Sequence, residues 1–167
     1  MIETPPSFAG TPENARGGHD VLAEMLRALR LTGAVFLNAR FTAPFGIISP
    51  RRFDERTPMA RMTHISIFHL MASGSATVQL ANGERKTVSA GDILLVPFAD
   101  EHKFWNGDGA PMAIAEDVIK PSPLEGMWCV DHGGGGEETR MVCGFIESSE
   151  FLASPVFRTL PALLIDR

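Results

Sequence analysis

Cysteine is scarce: Cys129 and Cys143 are the only two in 167 residues. That is too few for a disulfide scaffold. One bridge could form, but two reduced thiols are the expectation. Long apolar runs are missing, with nothing near the roughly 18 residues that mark a membrane span. The N-terminus is polar and Pro-rich and holds no apolar signal core, so no secretory leader is expected. A cytoplasmic protein without membrane contact follows as the expectation. Basic excess is missing too. Fifteen Lys and Arg stand against 20 Asp and Glu, a net charge of -5, which argues against a strongly basic nucleic-acid surface. There is no Gly-x-Ser-x-Gly elbow and no hydrolase triad order. Gly133 to Gly136 lacks the Lys-Ser/Thr end of a phosphate loop and opens into a strand. It reads as a flexible connection.

What is there is an ordinary globular mixture, 44% hydrophobic and 21% charged, enough for one core. Residues 1–18 read as a loose arm and 19–167 as a single domain. Val21, Leu22, Met25, Leu26 and Leu29 recur at helical spacing behind Asp20, a good N-cap, and Gly33 stops the pattern. One amphipathic helix over Asp20–Arg30 is expected. The period then switches to two. Strands are expected at Ala34–Phe41, Phe45–Ile48, within Arg61–Met71, and at Ser75–Leu80, Glu84–Ser89, Ile93–Pro97, His102–Asn106, Met112–Ile119 and Glu137–Ile146. Asn82-Gly83 is the strongest hairpin signal and predicts a type I′ turn, with positive φ at both residues. Glu150–Ala153 is a helix candidate, and Phe157–Leu160 a short apolar turn. The sum is an all-β, antiparallel jelly-roll barrel with an N-terminal helix and short C-terminal helices.

The most specific spacing is Gly91-Asp92-Ile93-Leu94-Leu95-Val96-Pro97, followed by His102 and Asn106. It resembles the second conserved motif of cupins, small jelly-roll barrels. Cupins place a Gly two residues after the Pro; here Ala99 stands there. Their first motif has a His-x-His pair, a Glu and a Gly. Gly74 matches the Gly, but the His pair and the Glu are absent, so a standard four-ligand cupin metal site is not expected. Over residues 19–165 the chain resembles the cupin-type effector domain of AraC-type transcriptional regulators. That resemblance is carried by Asp20-Val21-Leu22 with Leu26 to Leu31, Gly33-Ala34-Val35-Phe36, Phe68-His69-Leu70, the Gly91 motif, Thr139 to Gly144, and Pro155 with Leu160-Pro161 to Leu164. Such regulators continue into two helix-turn-helix motifs, which this sequence does not contain.

His102 is the one histidine placed by a spacing motif. His69 lies in an apolar strand, and antiparallel neighbours can bring it to the same interior. Cys143 shares a strand face with Met141 and Phe145 and would be the third ligand of a site for a divalent metal such as zinc. The competing readings are a buried His69 with one hydrogen bond and a Cys143 that is only a small hydrophobe. His64 is five residues from His69 and faces the other way. An organic effector would instead be held by His69, His102, Trp105 and Met71, although Trp105 and Trp128 also read as core. His132 reads as a solvated loop residue, and either Glu116 or Asp117 would have to face the barrel interior or an edge from its strand.

Three functions are compatible with these residues, the third of them a purely structural, dimer-forming barrel. The first is a non-catalytic sensing domain for a small-molecule effector, metal-assisted or not, in an AraC-type regulator. Its contact with DNA would run only through the missing helix-turn-helix, with no direct DNA binding by this chain. The second is a stand-alone metal-dependent cupin enzyme, an oxygenase or isomerase. A homodimer is compatible with the first two as well.

Overall fold

The computed structural model describes residues 32–51, 65–124, 127–147, 155 and 157–167. The expected arm, the helix Asp20–Arg30, His64 and the helix candidate Glu150–Ala153 lie outside these residues. The strands are β1 (Thr32–Thr42), β2 (Phe45–Ser49), β3 (Ile65–Ser73), β4 (Ser75–Leu80), β5 (Arg85–Ser89), β6 (Ile93–Val96), β7 (His102–Asn106) and β8 (Met112–Ile114). A one-turn helix α1 (Ala115–Val118) separates these from β9 (Lys120–Pro121), β10 (Trp128–Gly133) and β11 (Glu138–Glu147). A 3₁₀ turn (Phe157–Thr159) precedes β12 (Leu164–Asp166). Seven strands form one sheet in the order β12-β6-β3-β11-β1-β10-β9, and five form a second, β5-β4-β7-β2-β8. The period-two pattern turns Ile67, His69 and Met71 of β3, Met141, Cys143 and Phe145 of β11, and His102 and Phe104 of β7 into the interior. Among the described residues no helix is long and apolar enough to cross a membrane.

The all-β expectation holds, but the sheets are mixed and not purely antiparallel. β1 pairs in parallel with β10, and β2 with β8. One device makes both pairs. β10 and β11 follow each other in sequence but straddle β1, so one of them must run with it. β7 and β8 straddle β2 in the same way. Both crossovers clasp the corner between β1 and β2. The tetraglycine run is therefore tightly bonded, not loose. Gly134 N donates to Thr42 O at 2.9 Å, Gly135 N to Thr42 Oγ1 at 2.9 Å, and Gly136 N to Ala43 O at 2.8 Å. At Gly133, with φ +139°, a Cβ would run into the Thr42 carbonyl, so only glycine allows this approach.

Three local expectations are corrected. The Asn82-Gly83 hairpin is a type I turn closed by Gly83 N to Leu80 O at 3.0 Å, with a left-handed Gly83 at φ +88°. Asn82 keeps negative φ and accepts from Glu84 N at 2.9 Å, the three-residue hairpin pattern. Met112–Ile119 is a strand only to Ile114; the chain then coils as α1. Glu116 is half-buried and Asp117 exposed, so neither carboxylate has to enter the apolar interior. His132 lies in β10, half-buried, and not in a loop.

The Gly91 motif shapes the ground before His102. Gly91 sits at φ +95°, and the Asp92 carboxylate accepts from Ser89 N at 2.9 Å. After β6, Ala99 N donates to Val96 O at 3.1 Å, and Ser66 Oγ donates to Pro97 O at 2.8 Å. Ala99 is the one non-glycine among the described residues with positive φ, +49°. The left-handed turn is kept although its glycine is not, at a cost of about 1–2 kcal/mol. Ala99→Gly is therefore expected to raise the unfolding free energy by up to about 1 kcal/mol, and Ala99→Val to lower it. Urea unfolding of the three proteins checks this; a Gly variant less stable than the parent would contradict it.

Candidate functional site

β3 lies between β6 and β11 in the seven-stranded sheet, which sets Cys143 directly opposite His69. β7 lies between β2 and β4 in the other sheet, where His102 stands opposite Ser49 and Leu80. The two imidazoles therefore enter the interior from opposite walls and meet there. His69 Nε2 lies 2.9 Å from His102 Nε2, His69 Nδ1 lies 2.9 Å from Cys143 Sγ, and His102 Nδ1 lies 2.7 Å from the backbone oxygen of Asp100. Phe104 closes the group, with ring centroids 4.9 Å from His69 and 5.5 Å from His102, both edge-on.

The protons in this chain can be placed one by one. A carbonyl oxygen only accepts, so His102 Nδ1 carries hydrogen. Burial pushes the His102 pKa below the ordinary 6.5, only partly countered by that carbonyl and by the nearby Asp100 and Glu101 carboxylates. Its ring is thus neutral, and its Nε2 must accept. His69 Nε2 therefore donates. Burial first, and then repulsion from His102, hold His69 well below 6.5, so its Nδ1 is bare and accepts. Cys143 Sγ–H supplies the last hydrogen, and burial pushes that thiol up to about 12. The order is Cys143 S–H to His69, His69 Nε2–H to His102, and His102 Nδ1–H to Asp100 O. Each hydrogen bond has one proton, and no ring nitrogen is orphaned. A satisfied buried network of this kind is rigid, and breaking one link leaves a polar atom unpaired.

Of the residues named from sequence for an effector, His69 and His102 are brought together. Met71 is fully buried one position further along the same face of β3 and packs in the core. Trp105 points out of the other side of β7 and shares no space with the imidazoles; Trp128 is half-buried against the core. The metal set His69, His102 and Cys143 needs correction. The three form a line and not a cage, because His69 turns one nitrogen to each partner, so Cys143 cannot reach a metal that both Nε2 atoms would share. Among the described residues no group of three His, Cys, Asp or Glu side chains is arranged to hold an ion. A zinc ion bound by those three does not fit this geometry.

Beside the chain lies an apolar cavity of about 50 Å³. Phe36, Phe41, Ile47, Phe104, Val130 and Met141 form most of its wall. His69, Cys143 and Ser49 supply its polar edge, and Ala115, Val118 and Ile119 cover it from α1 and the residue after. Ser49 was legible as the third inward residue of β2, after Phe45 and Ile47. The α1 cover was not, because its apolar residues read as a continued strand.

Two outcomes follow. Cys143→Ala should cost about 1–3 kcal/mol by orphaning His69 Nδ1, and Cys143→Ser, which keeps a donor, should cost clearly less. ¹⁵N NMR should show His69 protonated at Nε2 and His102 at Nδ1; the reverse tautomers would break the assignment. As for pH, both histidines stay neutral in the fold while the unfolded chain takes up protons near 6.5. Stability is therefore full above that pH and falls below it, by up to about 1.4 kcal/mol per pH unit for each histidine, until the depressed folded values are reached. Urea unfolding between pH 7.5 and pH 5, in roughly half-unit steps, should show this slope, and a His69→Leu/His102→Leu double variant should flatten it.

Among curated proteins and among solved structures, none is significantly similar to the chain. A family model described as Cupin matches residues 20–165, which spans both sheets, the Gly91 motif, both histidines and Cys143. With the mixed-sheet barrel and its inward residues described above, that match shows that the chain belongs to the cupin family.

Proposed function

We propose that this cupin is a non-catalytic sensing domain for a small apolar effector, of the kind that AraC-type transcriptional regulators carry. The observation that carries the reading is the small apolar cavity, partly open and thinly walled on one side. α1 has four residues, none of them buried, and no side-chain cap, yet it and Ile119 provide the wall of the cavity on that side. A cavity of about 50 Å³ is well below the usual ligand pocket of about 300–1,000 Å³. Occupation must therefore push a wall outwards, and α1 with the edge strand β8 is the wall with least to lose. A ligand that binds the widened state better shifts the population towards it, and the displaced β8–α1 edge is the signal.

The chain of neutral hydrogen bonds supports sensing over catalysis. Nucleophilic cysteine chemistry needs thiolate, and the raised Cys143 pKa leaves almost none at neutral pH. A general base needs a free nitrogen, and both inner nitrogens already accept. The enzyme reading would need a metal, for which the three expected ligands do not converge. DNA contact in this reading belongs to a partner segment, and this chain alone is expected to show no sub-micromolar, sequence-dependent binding in a gel shift.

A thermal-shift series with benzene, toluene, indole and their hydroxylated analogues tests the site. Small apolar members should stabilise the protein in a concentration-dependent way, reaching about 2.7 kcal/mol at 100-fold excess over Kd. Val118→Trp, which fills the space from α1, should abolish that gain while the protein stays folded. Stabilisation that survives Val118→Trp would place the ligand elsewhere. A stoichiometric metal lost together in His69→Ala and His102→Ala, with turnover that depends on it, would favour the enzyme.

A further inference from the structure

We infer that the outer face of the five-stranded sheet carries a separate site, centred on Trp105, for a flat aromatic ring bearing one carboxylate. The inference is independent of the sensing function. In β7 the residues alternate, so that His102 and Phe104 face in while Lys103 and Trp105 face out. Gln79 of β4 stands opposite Lys103, and Arg85 of β5 opposite Gln79. This makes one outward polar row across three strands. Trp105 lies one outward position along from Lys103, and the Arg85 guanidinium reaches diagonally to 5.6 Å from its ring centroid. On the other side of Trp105 stands Gly46 of β2, and because it has no side chain Met112 lies over it and forms that edge of the surface. The result is an open depression of about 330 Å³, lined by Gln79, Lys103, Trp105, Asp108 and Met112 with the glycines of the β7–β8 turn. That volume falls in the ordinary range for small-molecule pockets.

Two features point to a ligand and to its charge. Gln79 and Lys103 are half-buried, and among the described residues neither side chain has a hydrogen-bond or ion-pair partner. Among the described residues five other cations face carboxylates, though Lys120 does not: Arg40 meets Asp131 and Glu138, Arg140 meets Glu138, Lys86 meets Glu84, Arg51 meets Asp100 and Arg167 meets Asp92. Lys103 and Arg85 do not. An indole with the Arg85 guanidinium over its ring and the unpaired Lys103 beside it suits a π-ring with a negative group at the Lys103 end. Asp108 on the rim repels a second negative charge, which favours a monoanionic carboxylate over a dianionic phosphate.

The test is a ¹H–¹⁵N titration that follows the Trp105 indole N–H, assigned by its loss in Trp105→Phe, with Trp128 as the internal control. The probe is 1-naphthoate. Naphthalene-1-methanol tests the charge, and cyclohexanecarboxylate tests the ring. A saturable shift at Trp105 alone is expected, roughly tenfold weaker in Lys103→Gln, weaker in Arg85→Gln, and weaker at high salt. Both are surface substitutions, and unchanged Trp128 and His69 resonances verify the fold. Equal affinity for the neutral alcohol, insensitivity to both substitutions, or shifts confined to Trp128 would each overturn the inference.

Discussion

Two imidazoles meet in the middle of this barrel, one from each sheet, and the hydrogen bond between their Nε2 atoms is the constraint that orders the rest. It spans the space between β3 and β7 where apolar side chains alone would otherwise close the core. Because both rings are neutral, the bond has a direction, and that direction propagates. It requires the Cys143 thiol to donate at one end and the Asp100 carbonyl to accept at the other. A buried polar group is tolerable only when paired, so the backbone at Asp100 and the register of β11 against β3 are both held by the needs of two rings.

That demand explains features far from the rings. The Asp100 carbonyl is aimed by the turn after β6, and the turn persists with Ala99 in a left-handed conformation. The Asp92 carboxylate caps the preceding turn. The crossovers at Gly107 and at Gly133 to Gly136 grip Pro44 and its neighbours, holding β2 beside β7 and β1 beside β11. These clasps lie at the Asn106 end of β7, where Phe45 stands opposite Asn106, and not at the end that holds His102. At the His102 end, beside Ser49, the cover is α1, one turn with no buried residue. A rigid polar spine next to a weak apolar wall is the arrangement through which an occupant could move one edge of the barrel and leave the spine intact.

β7 also shows how one short strand serves two environments. Its even residues, His102 and Phe104, are committed to the interior; its odd residues, Lys103 and Trp105, are left for solvent with unmatched hydrogen-bonding capacity. The strict two-residue period keeps the two sides chemically separate. Trp105 cannot contribute to a site with His102 for that reason alone, although the two lie three residues apart.

Much of this protein was set by local rules. Alternation along β3, β4, β7 and β11 and the turn chemistry of Gly74, Gly83 and Gly91 mark most of the strands, and the Gly91 to Asn106 spacing marks His102. The inward sides of His69 and Cys143 follow from the same alternation. Tertiary structure decided what local rules cannot express. Which strands become neighbours depends on connections that straddle another strand, so the parallel pairs and the tight Gly133 to Gly136 crossover were invisible along the chain. Residues 115–119 carry an apolar pattern compatible with a strand or a helical turn, and the choice fell to the need to keep Glu116 and Asp117 out of the core. Above all, His69, His102 and Cys143 are the same three residues in a cage or in a line. Residue type and parity bring them to one interior, but only the distances between two packed sheets determine which nitrogen faces which partner, and so whether the set can hold an ion or a proton-ordered chain.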